Sequence, residues 1–329
     1  MKHLIATSAL AIASSALTLT ANALAIDEYN VFTAGDYIHV NASVGGKAFV
    51  GGDAYIDSTL VIGDRLSPSA ALDTLVTVGD INAIAPGAHG GVHVQAGNVV
   101  HGGAINDVGF NMNGGGSIRQ ESQSALITKR DNMIAELNGA SNSYSAMTAN
   151  GNLVRNGNTA TFDYTGAQGT AVFNVNAEDV FQQNTGLNLN AGLAETVIIN
   201  ISTQGSGYNF VSNGGINFTN GFSNPDGDSN NIGARNILWN FYDAESVDLM
   251  GLDTFRGSIL AMGASVFGNP TTDGAIAVKS LYQTRQIHNY TFVPPSEVPL
   301  PASVQFMLMG MAALVGLRRW RKHKASAQA

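Results

Sequence analysis

Between Ile38 and Ile62 one period governs the chain. Ile38, Val44, Val50, Ile56 and Ile62 recur every six residues, and Ala42, Ala48, Ala54 and Leu60 take the fourth place after the first four. Even positions are apolar or small for most of this stretch, which is the alternation of a strand with one buried face, so that Phe49, one position from Val50, is expected to point outward. A six-residue period on top of that alternation asks for short straight segments turned through regular corners, each pointing one aliphatic inward. That is the pattern of a parallel β-solenoid. The residues that follow the aliphatics are His39, Gly45, Gly51, Asp57 and Gly63, mostly turn formers. The alternative is a pair of ordinary alternating strands. The period fades after Gly63, so the remaining fold must be read from other signals.

Composition agrees with many short strands and tight turns. Glycine is 38 of 329 residues and asparagine 32, and both tolerate positive φ. Charged residues are 12 % and hydrophobic ones 44 %, enough for a sizeable core under a polar, weakly charged coat. There is no cysteine, which excludes disulfide frameworks, thiolate zinc sites and cysteine nucleophiles. Strand signals follow at Leu75 to Val78, Gly91 to Ala96 and Asn98 to Ile105, with Gly114-Gly115-Gly116 closing the first β tract. One helix is expected from Ser117, with Gln120 as capping-box partner and Gly139 as its stop. Leu126, Met133 and Leu137, flanked by Ile127 and Ile134, form its apolar face. Strand signals resume at Asn158 to Tyr164, Thr170 to Val175, Thr196 to Ile201 and Gly215 to Thr219. Later ones are Ile237 to Phe241, Gly257 to Ala261, Gly274 to Val278 and Ile287 to Phe292. The expected fold is all-β, a parallel β-solenoid (β-helix) with one flanking α-helix; a β-sandwich is the alternative.

Charge is distributed unevenly. Lys2 and five bases near the C-terminus leave ten bases in the middle, against all 24 acids between Asp27 and Glu297, a net −14. Phosphate contacts need Lys and Arg, so nucleic acid is excluded as a partner. Lys2, an apolar run from Leu4 to about Leu19 and Ala23-Leu24-Ala25 have the form of a secretory signal peptide over residues 1–25, cleaved after Ala25. At the other end Val298, Pro299, Leu300, Pro301 and Ala302 lead into an uncharged run from Ala302 to Leu317. As a helix this is ~24 Å long, short but able to span a bilayer with snorkelling flanks. Arg318, Arg319, Arg321, Lys322 and Lys324 follow as a stop-transfer cluster that holds the C-terminus inside. The organisation expected is thus signal peptide 1–25, one β domain 26–292, a Pro-rich stalk 293–301, and a sorting helix with basic tail 302–329.

The three-part C-terminus resembles a PEP-CTERM sorting signal of the Val-Pro-Leu-Pro-Ala type. The resemblance implies an exosortase-like transpeptidase as partner and a transient inner-membrane anchor before cell-surface or extracellular display. Within the β domain, Asn30-Val31-Phe32, Gly35-Asp36 and Val50-Gly51-Gly52-Asp53-Ala54 resemble the opening of choice-of-anchor A domains. Trp239-Asn240-Phe241, Phe255-Arg256-Gly257-Ser258-Ile259-Leu260-Ala261 and Ile287-His288-Asn289-Tyr290 resemble that family's closing motifs. The resemblance implies an exported adhesive module. The chain departs from the family's pattern at Met262 and Gln286.

Candidate chemistry is sparse. His89 and His93 are spaced as two metal ligands but lack the helix and carboxylate of a zinc protease. His288 reads as a satisfied core or interface histidine. The acid pairs Asp27-Glu28, Glu178-Asp179 and Asp243 with Glu245 read as solvated carboxylates rather than a glycosidase pair. No G-x-S-x-G elbow or P-loop is present. Within Asn224-Pro225-Asp226-Gly227-Asp228-Ser229-Asn230, the oxygens of Asp226, Asp228 and Asn230 alternate as in calcium loops, although the turn glycine and bidentate glutamate of an EF-hand are absent; a plain turn is the competing reading. With no other cofactor and no catalytic residue implied, the expected function is a non-enzymatic surface or matrix adhesive whose partner is an extracellular polysaccharide or the cell surface. A polysaccharide-active enzyme is the alternative. Ice binding would require ladders of Thr-x-Thr, of which the β domain has only Thr159-Ala160-Thr161.

Overall fold

The computed structural model describes residues 25–84, 91–209 and 215–295. These form a three-sided parallel β-solenoid that follows a short helix α1 (Ala25–Glu28), with a long helix against one side. Three-residue strands Ala48–Val50, Ala54–Ile56 and Leu60–Ile62 make one complete turn, one strand on each face. Each pairs in parallel with the strand above and below it: Ala48–Val50 with Val31–Thr33 and Asp73–Thr77 on face 1, Ala54–Ile56 with Tyr37–His39 and Ile81–Ala83 on face 2, Leu60–Ile62 with Ser43–Val44 and Gly91–Val94 on face 3. The period therefore has the meaning read from it, with Val44, Val50, Ile56 and Ile62 all fully buried. It fades after Gly63 because ten residues, 63–72, join face 3 to face 1 where Gly45–Lys47 did so one turn earlier.

Glycine and aspartate set the corner between faces 1 and 2. The Asp53 amide donates to Asp36 Oδ1, Asp80 to Asp53 Oδ1 and Ala104 to Asp80 Oδ1, at 2.9, 2.8 and 2.7 Å. A Cβ at Gly79 would collide with the Asp53 carboxylate, so this repeated step requires glycine there.

The order of strands in space is not their order in the chain. Face 1 runs through strands at 169–176, 194–202, 237–241, 258–267, 276–283, 31–33, 48–50, 73–77, 97–101 and 115–120. The chain thus begins in the middle of the stack, coils to one end at Gly115–Gln120, returns along the outside through helix α2 (Gln123–Ser145), and coils back from the far end until strand Ile276–Gln283 meets its own beginning. At this seam Val31 pairs with Ile276 and Tyr37 with Leu281. Asn30 pins it: its Nδ2 donates to the carbonyls of Gly274 and His288 at 2.7 and 2.9 Å, and its Oδ1 accepts from the Gly46 amide at 2.9 Å. Inside the seam, buried Tyr37 hydrogen-bonds through its hydroxyl to Gln283 Oε1.

Helix α2 has 23 residues and, at ~1.5 Å each, covers about seven strand spacings. It closes the outer side of face 1, where one in-register column runs Asn174, Asn200, Asn240, Leu260, Ala277, Phe32, Phe49, Val76 and Val100. Leu126, Met133, Leu137 and Tyr144 of the helix are buried against this side. At its C-terminal end the column turns to amides. Asn240 Nδ2 donates to Ser141 O, Asn200 Nδ2 to Tyr144 O and Asn174 Nδ2 to Met147 O, at 2.9, 2.8 and 3.0 Å, so the strands supply donors to carbonyls around the helix end.

Four expectations are corrected here. The helix starts after Ser122, because Gly115–Gln120 still gains a full strand partner in Gly97–His101; Gln120 bonds the carbonyls of Gly102 and Gly103 instead of capping. Gly139 lies inside the helix, which the amide column prolongs to Ser145. Ile38 is out of phase: its strand buries Tyr37 and His39 and turns Ile38 outward, since the seam needs Tyr37 against Gln283. Phe49, one step from an inward valine, is fully buried beneath the helix rather than exposed. The stretches Asn98 to Ile105 and Ile287 to Phe292 are also each shorter as strands, Gly97–His101 followed by Ile105–Asn106 and Ile287–His288 respectively.

Candidate functional site

Face 1 is closed by α2, which leaves faces 2 and 3 to meet a partner. On face 2 the outward residues of consecutive strands fall in register as Asp248, Phe267, Tyr282, Ile38, Tyr55, Asn82 and Asn106. At ~4.8 Å per strand the row spans about 29 Å. Its centre is aromatic and aliphatic, and Phe267 is 50 % exposed. One end is an amide ladder, with Asn106 Nδ2 donating to Asn82 Oδ1 at 2.8 Å. Beside Phe267 and Tyr282, Ser280 Oγ donates to Ser265 Oγ at 2.9 Å. The row crosses the seam, because Phe267 and Tyr282 come from the last coils and Ile38 and Tyr55 from the first.

Face 3 carries a groove of about 450 Å³ where the 223–235 loop lies over the C-terminal coils. Arg256, Asp273 and His288 stand side by side on three consecutive parallel strands. Asp273 is 2 % exposed, and its carboxylate is held by Arg256 on one side and by His288 Nδ1 at 2.5 Å on the other. Burial, reinforced by Arg65, keeps the His288 imidazole below the usual histidine range. In the neutral form its Nδ1–H donates to Asp273 and Nε2 remains an acceptor. The Arg235 guanidinium lies 5.4 Å from the Tyr290 ring centre and donates to Asn289 O at 2.8 Å, while the Tyr290 hydroxyl donates to Asp226 Oδ1 at 2.8 Å. Arg65 is exposed on the opposite rim. A Cβ on Gly45 would come within 2.8 Å of the Asn289 amide and 3.0 Å of Arg65 Cγ, so glycine there lets the two sides approach.

The motifs with family resemblance, Phe255-Arg256-Gly257 and Ile287-His288-Asn289-Tyr290, therefore converge on one groove. Its buried partner, Asp273, had no sequence signal of its own. The candidate calcium loop forms the groove's edge. Asp228 is engaged within that loop by Asn224 Nδ2, Asn231 Nδ2 and the Asn230 amide, which lower its pKa to about 2. The Asp226 carboxylate is taken by Tyr290 from outside the loop, and Asp228 and Asn230 belong to a turn closed by its own hydrogen bonds. Among the described residues no group of three or more His, Asp or Glu side chains is placed to hold a metal ion. His101 Nδ1 bonds Gly103 O at 2.8 Å, His93 lies on the outer side of face 3, and His89 is outside the described residues. The acid pairs have structural uses. Glu28 pairs with Lys47 at 2.6 Å, Asp179 accepts from Asn176 Nδ2 at 3.0 Å, and Asp243 accepts from Ser202 Oγ and the Thr203 amide at 2.7 and 2.8 Å.

Ala25 opens a short helix, Ala25–Glu28, and is buried; Ala23 lies outside the described residues. So do the candidate sorting motif Val298 to Ala302 and the basic cluster Arg318 to Lys324. Among the described residues no helix is long and apolar enough to cross a membrane.

Residues 22–289 match the family model described as "Putative Ice-binding-like adhesive domain". No curated protein matches the chain. Among solved structures the chain is similar to an ice-binding protein from the Antarctic ascomycete Antarctomyces psychrotrophicus, at 14 % identity and a TM-score of 0.28, over 82 % of this chain and 98 % of that one.

Proposed function

The chain belongs to the family of ice-binding-like adhesive domains, and from that premise we propose that it is an exported, non-enzymatic adhesive whose contact surface is the outward row of face 2. The observation that carries this reading is the register itself. Phe267, Tyr282, Ile38 and Tyr55 line up on adjacent strands as a rigid apolar strip, continued by the amides of Asn82 and Asn106. Aromatic rings pack against the C–H faces of sugar rings, and tyrosine and asparagine serve their hydroxyls, so an extracellular polysaccharide is the partner this row suits. Ice is less well served. Thr159 and Thr161 occupy a single strand, with Asn156 and Val154 on one side and Gly186 and Asn188 on the other.

The export route is part of the same proposal. The signal-peptide pattern, the choice-of-anchor A motifs and the Val298 to Ala302 sorting motif with its basic cluster support processing by an exosortase-like enzyme and display at the cell surface or in the matrix. Intact-mass measurement of extracellular protein tests it: the expected chain lacks residues beyond about Ala302, and one that still ends at Ala329 would make the segment a simple membrane anchor.

For the contact surface, the test is retention on polysaccharide-coated surfaces by the exported protein. Tyr55→Asp with Phe267→Asp is expected to abolish retention, and Asn111→Asp on face 3 to preserve it. Turnover of the polysaccharide by the parent protein would favour the enzymatic alternative instead.

A further inference from the structure

The groove on face 3 reverses the charge of the molecule around it. Residues 26–292 carry ten bases against 23 acids, yet three of the ten, Arg65, Arg235 and Arg256, line this one groove with two carboxylates, Asp226 and Asp273, while a third, Asp64, acts on His288 from outside the lining. The three arginines are not equivalent. Arg256 is neutralised by Asp273, which is buried and cannot leave it. Arg235 is held on the Tyr290 ring and the Asn289 carbonyl, its charge unmatched by a carboxylate, while Asp226 lies across the same ring's hydroxyl. Arg65 projects from the far rim and forms no ion pair among the described residues. The balance leaves room for one negative charge between Arg65 and Arg235.

We propose that this groove binds the carboxylate of a uronic acid within an acidic polysaccharide. A single carboxylate matches the net charge of +1, whereas a phosphate dianion would exceed it beside Asp226. The remaining wall is built for hydroxyls: Thr254 and Thr271 offer side-chain oxygens, Tyr290 a ring edge, and neutral His288 an acceptor nitrogen. The volume lies in the range of small-ligand sites, enough for a sugar ring and its neighbours. An acidic side chain of a protein would leave this hydroxyl-rich wall without partners. The inference rests on the reading of the molecule as a polysaccharide binder and deepens it, since it places the acidic sugars on face 3 and the neutral ones on face 2.

Titration of the exported protein with an oligogalacturonate, followed by calorimetry, tests it against the neutral galactose oligomer of the same length. Binding of the uronate is expected to be at least tenfold tighter than that of the neutral oligomer at low salt, and to weaken as ionic strength rises. Arg65→Gln, an exposed position, is expected to weaken it at least tenfold, and Arg235→Gln similarly. Lys279→Gln, an exposed base remote from the groove, is expected to leave it unchanged. Equal affinity for the two oligomers, or equal loss with Lys279→Gln, would overturn the proposal while leaving adhesion through face 2 intact. An acidic peptide bound as tightly as the uronate would overturn the saccharide assignment. Failure to bind any polysaccharide through either face would remove the underlying function as well.

Discussion

The two halves of the solenoid solve the same packing problem at different widths. In the first half the chain needs 17 residues to pass from Val31 to its neighbour Ala48 and 27 from Ala48 to Leu75, where the largely exposed 63–72 loop lengthens the coil, and the interior is filled by small aliphatics such as Ala48, Val50, Ala54 and Ile56. In the second half it needs 26 from Thr170 to Thr196 and 40 from Val197 to Ile237, before the coil narrows again to 17 between Ile259 and Ile276. The wider section is filled by rings. Trp239 lies 5.4 to 5.9 Å, centre to centre, from Phe162, Phe181, Phe218, Phe222 and Phe255. A narrow prism must repeat its corner residues strictly, because its opposing walls are close. A wide one can take large side chains from irregular loops. Both halves share face 1, whose central strands are buried on both sides and read as almost continuously apolar, as in Ile237–Phe241, where Asn240 alone breaks the run.

The largest expected effects test whether both sides of face 1 are core. Val50→Asp places a charge inside the prism and Phe49→Asp places one under α2, and each is expected to cost about 4 kcal/mol or more, enough to prevent folding. Circular dichroism and soluble yield would show it. A folded Phe49→Asp protein would detach the helix from the account. Next, Trp239→Ala is expected to cost ~3–5 kcal/mol by urea unfolding, because it removes the ring on which five others pack, against ~0.5–1.5 kcal/mol for Ile56→Val, which removes one methylene among small aliphatics. Similar costs for the two would erase the contrast.

That contrast also explains what the sequence made legible. The six-residue spacing exposed the prism at Val44 to Ile62, where each corner is short. It did not show that the coil continues through the ten-residue loop at 63–72, nor that Ile38 turns outward, because Tyr37 is fixed by Gln283 from the opposite end of the chain. Helix α2 was recognisable from Leu126, Met133 and Leu137. Its ends were not, since they depend on a strand partner for Gly115–Gln120 and on amides from Asn174, Asn200 and Asn240. The groove was half visible: the resemblance marked Arg256 and His288, but Asp273 joins them only through strand register.

Smaller effects sharpen the comparison at the joints. Asn240→Ala removes the donor to Ser141 O and to Asn200 Oδ1 and the acceptor of the buried Ser141 hydroxyl, and a loss of ~1–3 kcal/mol is expected, with faster amide exchange in the last turns of α2. At the seam, His39 is buried and its imidazole is held below the ordinary value of 6.5 by that burial, and His288 is shifted the same way. Below pH 6.5 the unfolded chain therefore binds protons that the folded one does not, so stability is expected to fall as the pH drops from 7.5 to 5. Urea midpoints across that range check it; a midpoint rising on acidification would reverse the sign. The smallest effect concerns the 224–231 turn. Its own hydrogen bonds already occupy Asp228, so millimolar calcium is expected to move the melting temperature by less than about 1 °C.

The central claim is that the first coil and the last are neighbours, joining two halves that the chain separates. With no native cysteine, Ile38→Cys and Tyr282→Cys can be introduced as a unique pair on face 2, where the two residues lie on adjacent strands in register. A bifunctional thiol reagent that spans one strand spacing of ~4.8 Å, but not two, is expected to bridge them. The pair Ile38→Cys with Phe267→Cys, one strand further away, is expected to remain open. Peptide mapping of the treated protein reads both outcomes. A bridge at 38 and 282 alone confirms the seam; no bridge there, or equal bridging of both pairs, would contradict it.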